Sequence, residues 1–207
     1  MNETSLMQLA LGAQWEALPA ALKAHYAGPA SIDVGVLDIE YPRWMQPVVD
    51  ALHGLGALVN RRGTAVPTTV EKWLDGERQQ WRRTLRFPDG REVRFPSFWV
   101  YAGGNELVEY VNRYVGLCMA VRVVDGELHY AGRYFVLRLG RFRLELPEAL
   151  ALGHTTVVER ALDAERFAMD FRLVHPLVGQ IYRYSGVFTA RVTAPRAAVL
   201  DAGASVD

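Results

Sequence analysis

The chain has 207 residues, of which half are hydrophobic, and its 23 lysines and arginines balance its 23 aspartates and glutamates. This length and hydrophobic content suffice for one substantial core, so we expect a single globular domain over residues 1–192. Without net charge, the protein has no overall field that would attract nucleic acid or an anionic membrane surface. We therefore expect no nucleic acid partner, and the lack of a long apolar run argues against a membrane span.

The cysteine and histidine content argues against disulfides and metal sites. Cys118 is the only cysteine, so neither an intramolecular disulfide nor a zinc site built from several thiolates can form. The five histidines are scattered, and no HExxH motif occurs. The N-terminal residues also lack the basic start of a secretory signal. We expect a cytoplasmic protein that binds no metal.

Two helical patterns come first in the chain. Over residues 5–24, apolar residues recur at helical intervals, and Gly12 and Pro19 divide this segment into two short helices. Residues 32–39 fit either a short strand or an extended connection. A second helical pattern begins near Arg43, and its apolar side contains Trp44, Val48, Leu52 and Leu55.

From about Pro67 onward, the sequence consists of segments of about ten residues, rich in β-branched and aromatic side chains. Turn signals such as Asp89-Gly90 and Asp125-Gly126 separate them. This pattern predicts an α+β, mainly antiparallel β fold: a meander of about eight strands that forms a curved sheet or barrel, covered by the N-terminal helices. Residues 193–207 have no periodicity, and we expect a flexible C-terminal tail.

The loop at residues 87–91 determines which side chains of its hairpin share a face. Its proline and glycine suit a three-residue turn with a bulge, and the resulting register pairs Trp81 with Ser97. The same register pairs Arg83 with Phe95 on that face. Because most members of this face are large and apolar, we predict that it is the inner face and that Arg83 and Ser97 are polar exceptions on it.

Arg83 is the most informative of these residues. A guanidinium on an inner face must find a carboxylate, carbonyl groups or a ligand anion to offset its desolvation. Two alternatives stay open. Arg83 forms either a ligand contact or a structural ion pair, for which the candidate partners are Glu71, Glu159 and Asp170.

The segment HPLVGQIYRYSG at residues 175–186 combines a histidine, a proline turn and two tyrosines. His175 fits a hairpin corner that is hydrogen-bonded to backbone better than it fits a catalytic acid or base. Tyr182 and Tyr184 alternate with Arg183, which ordinary cross-strand packing explains. We assign no catalytic residue, and the candidate ligand-binding residues are Trp81, Arg83, Ser97, His175, Tyr182 and Tyr184.

Residues 115–124 have one face of large side chains and one of small side chains. The small face consists of Gly116, Cys118 and Ala120. Such a strand marks either close packing against a helix or a gap left for a ligand. We interpret Cys118 as a small buried hydrophobe rather than a nucleophile, because nothing nearby in the sequence lowers its pKa.

Four segments, in this order, resemble a bacterial family known as domain of unknown function 4166: LPAALKAHY, AVPTTVE, WRRTLRF and FRLVHPLVGQIYRYSGVF. The family's pattern of tryptophan, a gap and arginine matches Trp81 and Arg83. Its terminal hairpin matches Gly179, Tyr182, Tyr184 and Gly186. The resemblance implies no reaction, but it implies a link to dehydrogenases, since relatives are often appended to a saccharopine-dehydrogenase-like NADP-binding domain. No GxGxxG follows a predicted strand here, so we expect no cofactor.

A closed or strongly curved sheet of about eight strands can enclose a cavity of small-molecule size. We therefore expect the protein to bind a small hydrophobic molecule in its barrel. One alternative is a cofactor-independent cyclase or isomerase acting on a flexible apolar substrate, in which Arg83 or a tyrosine polarises a carbonyl. A second alternative is an accessory interaction domain for a separate dehydrogenase, whose marks are a filled core and an exposed apolar patch.

Overall fold

The computed structural model describes residues 4–148 and 151–192, so the predicted tail at residues 193–207 lies outside the described residues. The N-terminal helices are α1 (Leu6–Leu11), a 3-10 helix (Gly12–Ala17) and α2 (Ala20–Tyr26). A 3-10 turn (Arg43–Met45) leads into α3 (Gln46–Gly54). Over the described ranges, none of the helices has the length and apolar character that crossing a bilayer requires.

Eleven antiparallel strands form one sheet in the described part of the chain. Ten of them close into a barrel, because β6 pairs with β7, β7 with β9, and β11 with β1, while β8 pairs with β7 outside the ring. The strands are β1 (Ala30–Glu40), β2 (Gly63–Asp75), β3 (Arg78–Arg86), β4 (Glu92–Gly103), β5 (Glu106–Tyr110), β6 (Val115–Val124), β7 (Glu127–Leu139), β8 (Phe142–Pro147), β9 (His154–Ala161), β10 (Arg166–His175) and β11 (Gly179–Val192).

The predicted mainly antiparallel barrel with N-terminal helices is confirmed, and its strand number is somewhat larger than expected. The segment at residues 32–39, for which the sequence left two alternatives, lies within β1 and pairs with both β2 and β11. Asp33 and Gly35 interrupt the apolar alternation of this strand, which weakens its sequence signal. The barrel therefore begins well before Pro67.

The predicted register of the β3–β4 hairpin is confirmed. Phe87 donates its backbone N–H to the Arg91 carbonyl at 2.8 Å, and Gly90 adopts the left-handed conformation with φ of 82°. Trp81 lies opposite Ser97. Arg83 lies opposite Phe95 on the same face. The turn chemistry thus determines which side chains of this hairpin enter the barrel.

The N-terminal helices and the segment after α3 cover opposite mouths of the barrel. The Gln14 side chain accepts a hydrogen bond from the Val123 N–H at 2.8 Å, near one end of β6. Beyond the other end of β6, the Asn112 side chain donates to the Leu55 carbonyl at 2.7 Å. The N-terminal helices bury Leu6, Met7, Ala10, Leu11, Ala21, Leu22, His25 and Tyr26.

The face of α3 that packs onto the barrel differs from the predicted face. Trp44 is 57% exposed and Val48 is 41% exposed, whereas Met45 and Val49 are buried. The segment begins with a 3-10 turn, which has three residues per turn and shifts the following side chains relative to an ideal α-helical pattern. The predicted apolar side is therefore wrong at Trp44, Val48 and Leu55, whereas Leu52 packs against the core as predicted.

The small face of β6 accommodates an aromatic ring. Cys118 packs with Val108, Tyr110 and Val136 in a cluster separate from the main core. A Cβ on Gly116 would lie 2.8 Å from the Tyr110 ring. Tyr110, rather than a helix, therefore packs on this face. Burial also raises the pKa of the Cys118 thiol to about 11, which fits the predicted buried hydrophobe.

Two glycine substitutions test the close approach of β1 and β11. A Cβ on Gly35 would overlap the backbone carbonyl of Val187. We expect Gly35→Ala to lower the free energy of unfolding by about 1–3 kcal/mol, the usual effect of overpacking. The control is Gly54→Ala, where nothing lies within 4 Å of the new Cβ, and better helix propensity raises stability by up to about 1 kcal/mol. Urea unfolding measures both changes, and a Gly35→Ala protein as stable as the parent would contradict the close approach.

Candidate functional site

The barrel interior contains two adjoining cavities, which we name the apolar cavity, of about 90 Å³, and the polar cavity, of about 70 Å³. The apolar cavity is lined by Leu37, Ile39, Ala57, Leu58, Val59, Arg83, Leu85, Phe95, Glu109, Val111, Val115, Gly116, Leu117, Phe135, Leu152, Thr155, Phe171, Leu173, Tyr182 and Tyr184. The polar cavity is lined by His25, Tyr26, Asp33, Leu37, Val70, Trp81, Arg83, Trp99, Glu109, Met119, Tyr130, Val157, Glu159, Phe167, Met169, Phe171, Tyr184 and Phe188.

Side-chain alternation along the strands stacks the two cavities along the barrel. On β3, Trp81 lines the polar cavity, Leu85 lines the apolar cavity, and Arg83 between them lines both. Successive inward residues of a strand are two positions apart, so each strand supplies one residue per layer. We call the side chains that line both cavities the shared layer; they are Leu37, Arg83, Glu109, Phe171 and Tyr184.

Arg83, Ser97 and Glu109 form a closed hydrogen-bonded cluster in the barrel wall. The Arg83 guanidinium donates to the Ser97 hydroxyl at 2.8 Å and to the Glu109 carboxylate at 3.0 Å. The Ser97 hydroxyl donates to the same Glu109 oxygen at 2.7 Å. Burial opposes the charge of Arg83, but Glu109 outweighs this effect and the pKa of Arg83 is raised. The cluster keeps a cation and an anion inside the barrel.

The ion-pair partner of Arg83 differs from the three partners that the sequence suggested. Arg83 points inward as predicted, but its carboxylate partner is Glu109 on β5. Glu71 pairs with Arg82 outside the barrel, and Glu159 accepts a hydrogen bond from Tyr26. Asp170 pairs with Arg172 and Arg183. β4 lies between β3 and β5 in the sheet. The alternation of inward side chains along a single strand therefore did not predict that Glu109 contacts Arg83.

A second charged cluster lies where α2 meets β1 and β2. One oxygen of Asp33 lies 2.8 Å from His25 Nδ1 and 2.8 Å from Lys72 Nζ. Lys72 also contacts His25 Nδ1 at 2.7 Å and donates to the His25 carbonyl. The other Asp33 oxygen has no hydrogen-bond partner within the described ranges. No group of three or more histidine, cysteine or carboxylate side chains there is arranged to hold a metal ion.

Burial and charge act in opposite directions on this cluster. Burial by itself raises the pKa of Asp33, but His25 and Lys72 outweigh it and the pKa is lowered. Burial lowers the pKa of Lys72, and the nearby Asp33 only partly compensates. Asp33 is therefore held as a carboxylate, and its negative charge compensates for the positive charge of Lys72 in the interior.

Glu159 and two tyrosines form the polar end of the interior. Tyr26 donates its hydroxyl to Glu159 Oε2 at 2.8 Å, and the Tyr26 and Tyr130 hydroxyls are hydrogen-bonded to each other. Burial raises the pKa of Glu159, although His25 and Tyr26 oppose this effect. Burial raises the pKa of both tyrosines well above their ordinary value of 10.0. The two phenols therefore keep their protons at neutral pH.

Trp81 and Trp99 form an aromatic wall of the polar cavity. Their ring centroids are 4.7 Å apart, and each side chain is 4% exposed. Lys72 Nζ lies 4.9 Å from the Trp81 ring centroid and Arg83 Cζ lies 5.0 Å from it, both within cation–π range. In the described part of the chain, neither indole N–H has an acceptor. Two tryptophans that line the polar cavity therefore carry buried hydrogen-bond donors without an acceptor.

The structure brings five of the six predicted ligand-binding residues together. Trp81, Arg83, Tyr182 and Tyr184 line one or both cavities, and Ser97 holds Arg83. The Tyr182 hydroxyl donates to the Val59 carbonyl at 2.9 Å and so anchors the segment after α3. His175 lies apart, at the end of β10, where its Nδ1 accepts the Leu177 N–H at 3.2 Å. This contact fits the hairpin-corner interpretation.

The buried cluster of His25, Asp33 and Lys72 was not identified from the sequence, although strand alternation indicated that Asp33 and Lys72 point inward. On β2, the inward residues Val66, Thr68 and Val70 recur every second position, and the same alternation places Lys72 inside. On β1, Leu37 and Ile39 are buried, so Asp33 lies on the same face. No sequence signal joins Tyr26 to Tyr130, which are 104 positions apart. Closure of the barrel and docking of α2 bring those residues together.

A wider groove of about 890 Å³ lies on the outer surface of β7, β9, β10 and β11. Its charged side chains include Asp170, which forms ion pairs with Arg172 and Arg183. These side chains are partly exposed, so solvent screens the pairs. The groove has the character of a solvated charged surface, and the buried cavities are the stronger candidate site.

A comparison with protein families identifies similarity over most of the chain. A family model described as a domain of unknown function (DUF4166) matches residues 18–188. This range contains every residue that lines either cavity. Among curated proteins, no match to the sequence is found.

Loss of the Arg83 cation is expected to destabilise the fold strongly. Arg83→Met leaves Glu109 buried without its partner, and we expect the free energy of unfolding to fall by about 3–5 kcal/mol. The control, Arg82→Met, breaks an exposed pair with Glu71 and is expected to change stability by about 1 kcal/mol or less. In Arg83→Met/Glu109→Met both charges are gone, so we expect a smaller loss than in Arg83→Met alone. Urea unfolding measures all three, and equal losses in the two single variants would contradict the buried pair.

Glu159 is expected to give the fold a distinct pH dependence. Because burial raises its folded pKa above the ordinary value of 4.5, its stabilising contribution is complete below that value and is lost as the pH rises through the folded pKa. Glu159→Gln removes this loss. We expect the stability of the variant relative to the parent to increase as the pH rises from below 4.5 toward neutrality. Urea unfolding across this range tests it, with the exposed Glu77→Gln as control, and a difference that does not vary with pH would contradict the prediction.

Proposed function

The chain belongs to the DUF4166 family of domains of unknown function, and we propose that its β-barrel binds a small, mainly apolar molecule in the apolar cavity. The single observation that carries this proposal is an interior space of about 90 Å³ whose wall is almost wholly hydrocarbon, with Arg83 and Glu109 at one end. A mainly apolar pocket with a few convergent polar groups is the usual form of a small-molecule site.

The size of the interior limits the ligand. Each cavity is smaller than the roughly 150 Å³ of an apolar cavity that holds benzene. A ligand as large as benzene therefore extends past the shared layer into the polar cavity. The segment between α3 and β2 supplies Ala57, Leu58 and Val59 to the wall. These three residues belong to no strand, so we propose that a ligand enters by displacement of this segment, which breaks the hydrogen bond from Tyr182 to Val59.

The shared layer supplies the polar contacts of this site. Arg83 uses one N–H group for Ser97 and another for Glu109. A guanidinium has about five N–H donors in total, so further donors remain for a ligand oxygen. Tyr184 lies in the same layer and lines both cavities. Arg83 and Tyr184 are therefore the predicted residues that we place in polar contact with the ligand at the shared layer.

A cofactor-independent isomerase or cyclase is a second candidate, and it would use the same interior. The observation that favours it is the Glu159 carboxyl beside Tyr26 in the wall of the polar cavity. A carboxyl group and a phenol can exchange protons with a substrate held against them. Turnover of a bound molecule distinguishes this candidate from a binding protein.

An accessory interaction domain is a third candidate, and it would use the outside of the barrel. On the hairpin formed by β7 and β8, Leu139, Phe142 and Leu144 are all at least half exposed. Exposed apolar side chains of this kind occur at protein interfaces. Mutation of this hairpin is expected to leave small-molecule binding unchanged, whereas filling the apolar cavity abolishes it.

Benzene binding tests the proposed function. A ligand that binds only the folded state stabilises it in proportion to the logarithm of ligand concentration, so we expect benzene to raise the Tm of the parent protein. Leu173→Phe fills the apolar cavity and is expected to remove this increase. The control, Leu144→Phe, makes the same substitution at an exposed position of β8 and is expected to retain it. An equal increase in the Leu173→Phe protein would place benzene elsewhere and overturn the proposal.

A further inference from the structure

The two indole N–H groups of the polar cavity have no hydrogen-bond partner in residues 4–148 and 151–192. Trp81 and Trp99 are each 4% exposed, so bulk water does not satisfy them. A buried donor that lacks an acceptor carries a desolvation penalty comparable to a lost hydrogen bond. Two such donors in the wall of one cavity are unfavourable unless an occupant accepts from them.

Core packing alone does not explain these residues. Phenylalanine at either position would fill the interior with an aromatic ring and would bury no unpaired donor. The phenols nearby are already engaged, because Tyr26 donates to Glu159 and is hydrogen-bonded to Tyr130. The indole N–H groups therefore remain for a ligand, in addition to the spare N–H groups of Arg83 in the shared layer.

The charges around the polar cavity disfavour an ionic ligand. Three carboxyl side chains, those of Asp33, Glu109 and Glu159, are in its wall and oppose an anion. A cation would compete with Lys72 and Arg83, which already lie within about 5 Å of the Trp81 ring centroid. The hydrogen atom of an indole N–H group carries a positive partial charge, so its partner must be a hydrogen-bond acceptor. These constraints favour a neutral hydrogen-bond acceptor.

Most carboxyl oxygens of the cavity wall face groups of opposite charge or donor character, whereas Asp33 Oδ1 has no hydrogen-bond partner in the described residues. Asp33 lies 2.8 Å from both His25 and Lys72, and Glu159 accepts from Tyr26. A hydroxyl ligand brings a proton as well as an acceptor, and Asp33 Oδ1 is the carboxyl oxygen that would have to receive this proton. A carbonyl oxygen has two lone pairs and brings no proton, so it can accept from two N–H groups at once.

We infer that the polar cavity binds the carbonyl group of a neutral, ketone-like ligand through the indole N–H groups of Trp81 and Trp99. This inference rests on the proposed function, since the hydrocarbon part of the ligand occupies the apolar cavity beyond the shared layer. It adds the chemical class of the ligand and assigns two specificity-determining residues.

Cyclohexanone and methylenecyclohexane provide a matched pair of probes, because they differ only by exchange of C=O for C=CH₂. The hydrocarbon is the more hydrophobic of the two and binds better to a cavity without donors. In the parent protein we expect the ketone to bind at least about fivefold more tightly, since it satisfies the indole donors. Titration calorimetry measures both affinities. NMR spectra are expected to show downfield shifts of the indole N–H signals of Trp81 and Trp99 with the ketone only.

Tryptophan variants separate the donors from the rings that carry them. In Trp81→Phe/Trp99→Phe the wall stays aromatic but loses both N–H groups, so we expect the preference to reverse in favour of methylenecyclohexane. The single variants are expected to give intermediate ratios. Trp44→Phe, at a position that is 57% exposed, is the control and is expected to keep the parent ratio. If the double variant does not fold, the affinity ratios of the single variants and the indole shifts in the parent spectra test the inference.

Three results would overturn the inference. Equal or tighter binding of methylenecyclohexane to the parent, with unmoved indole signals, would overturn it while leaving benzene binding and the proposed function intact. Tightest binding of cyclohexylammonium or of cyclohexanol would assign the cavity to a cation or a hydroxyl group instead. Absence of binding by every probe, benzene included, would overturn both the inference and the proposed function.

Discussion

The ion pair between Arg83 and Glu109 is the constraint on which the arrangement of the barrel interior depends. A guanidinium in the wall of an apolar barrel is unfavourable unless charge and hydrogen bonds compensate for it, and Glu109 and Ser97 supply both. The pair belongs to the layer that lines both cavities, so it separates a hydrocarbon-lined space from one lined by aromatic, hydroxyl and carboxyl groups. Replacing a buried ion pair with apolar side chains is often neutral or stabilising, so stability alone does not account for these charges.

This division gives the interior two chemical environments in a fixed order. Leu85 and Leu173 belong to the apolar side, and Trp81, Trp99 and Glu159 belong to the polar side. The ligand that we propose would therefore be oriented, with its hydrocarbon part at the mouth covered by the segment after α3 and its polar group toward α2. His25 and Asp33 line the polar cavity, and the negative charge of Asp33 compensates for the positive charge of Lys72. A binding protein and an isomerase would use the same cavity residues. A measurement of substrate turnover is therefore needed to distinguish the two functions.

The sequence predicted many residues of the cavity wall, but it did not predict which of them meet in the folded barrel. The proline and glycine of the 87–91 loop determined the β3–β4 register, and that register correctly placed Arg83 and Ser97 inside. The partner Glu109 was not predicted, because it reaches Arg83 across an intervening strand. Strand alternation on β2 carried a signal for Lys72 that was overlooked, whereas the Tyr26–Tyr130 contact depends on barrel closure and has no local signal. The 3-10 turn before α3 changed the buried face of that helix, which an ideal helical period does not anticipate.

Xenon binding in crystals of the parent protein tests the central claim most directly, since xenon enters unfilled apolar cavities and does not depend on a guess about the ligand. The account predicts xenon density among Leu85, Leu173 and Tyr182, bounded on one side by the Arg83–Glu109 pair. A core packed without space at this position, or an Arg83 side chain that points to solvent, would contradict it.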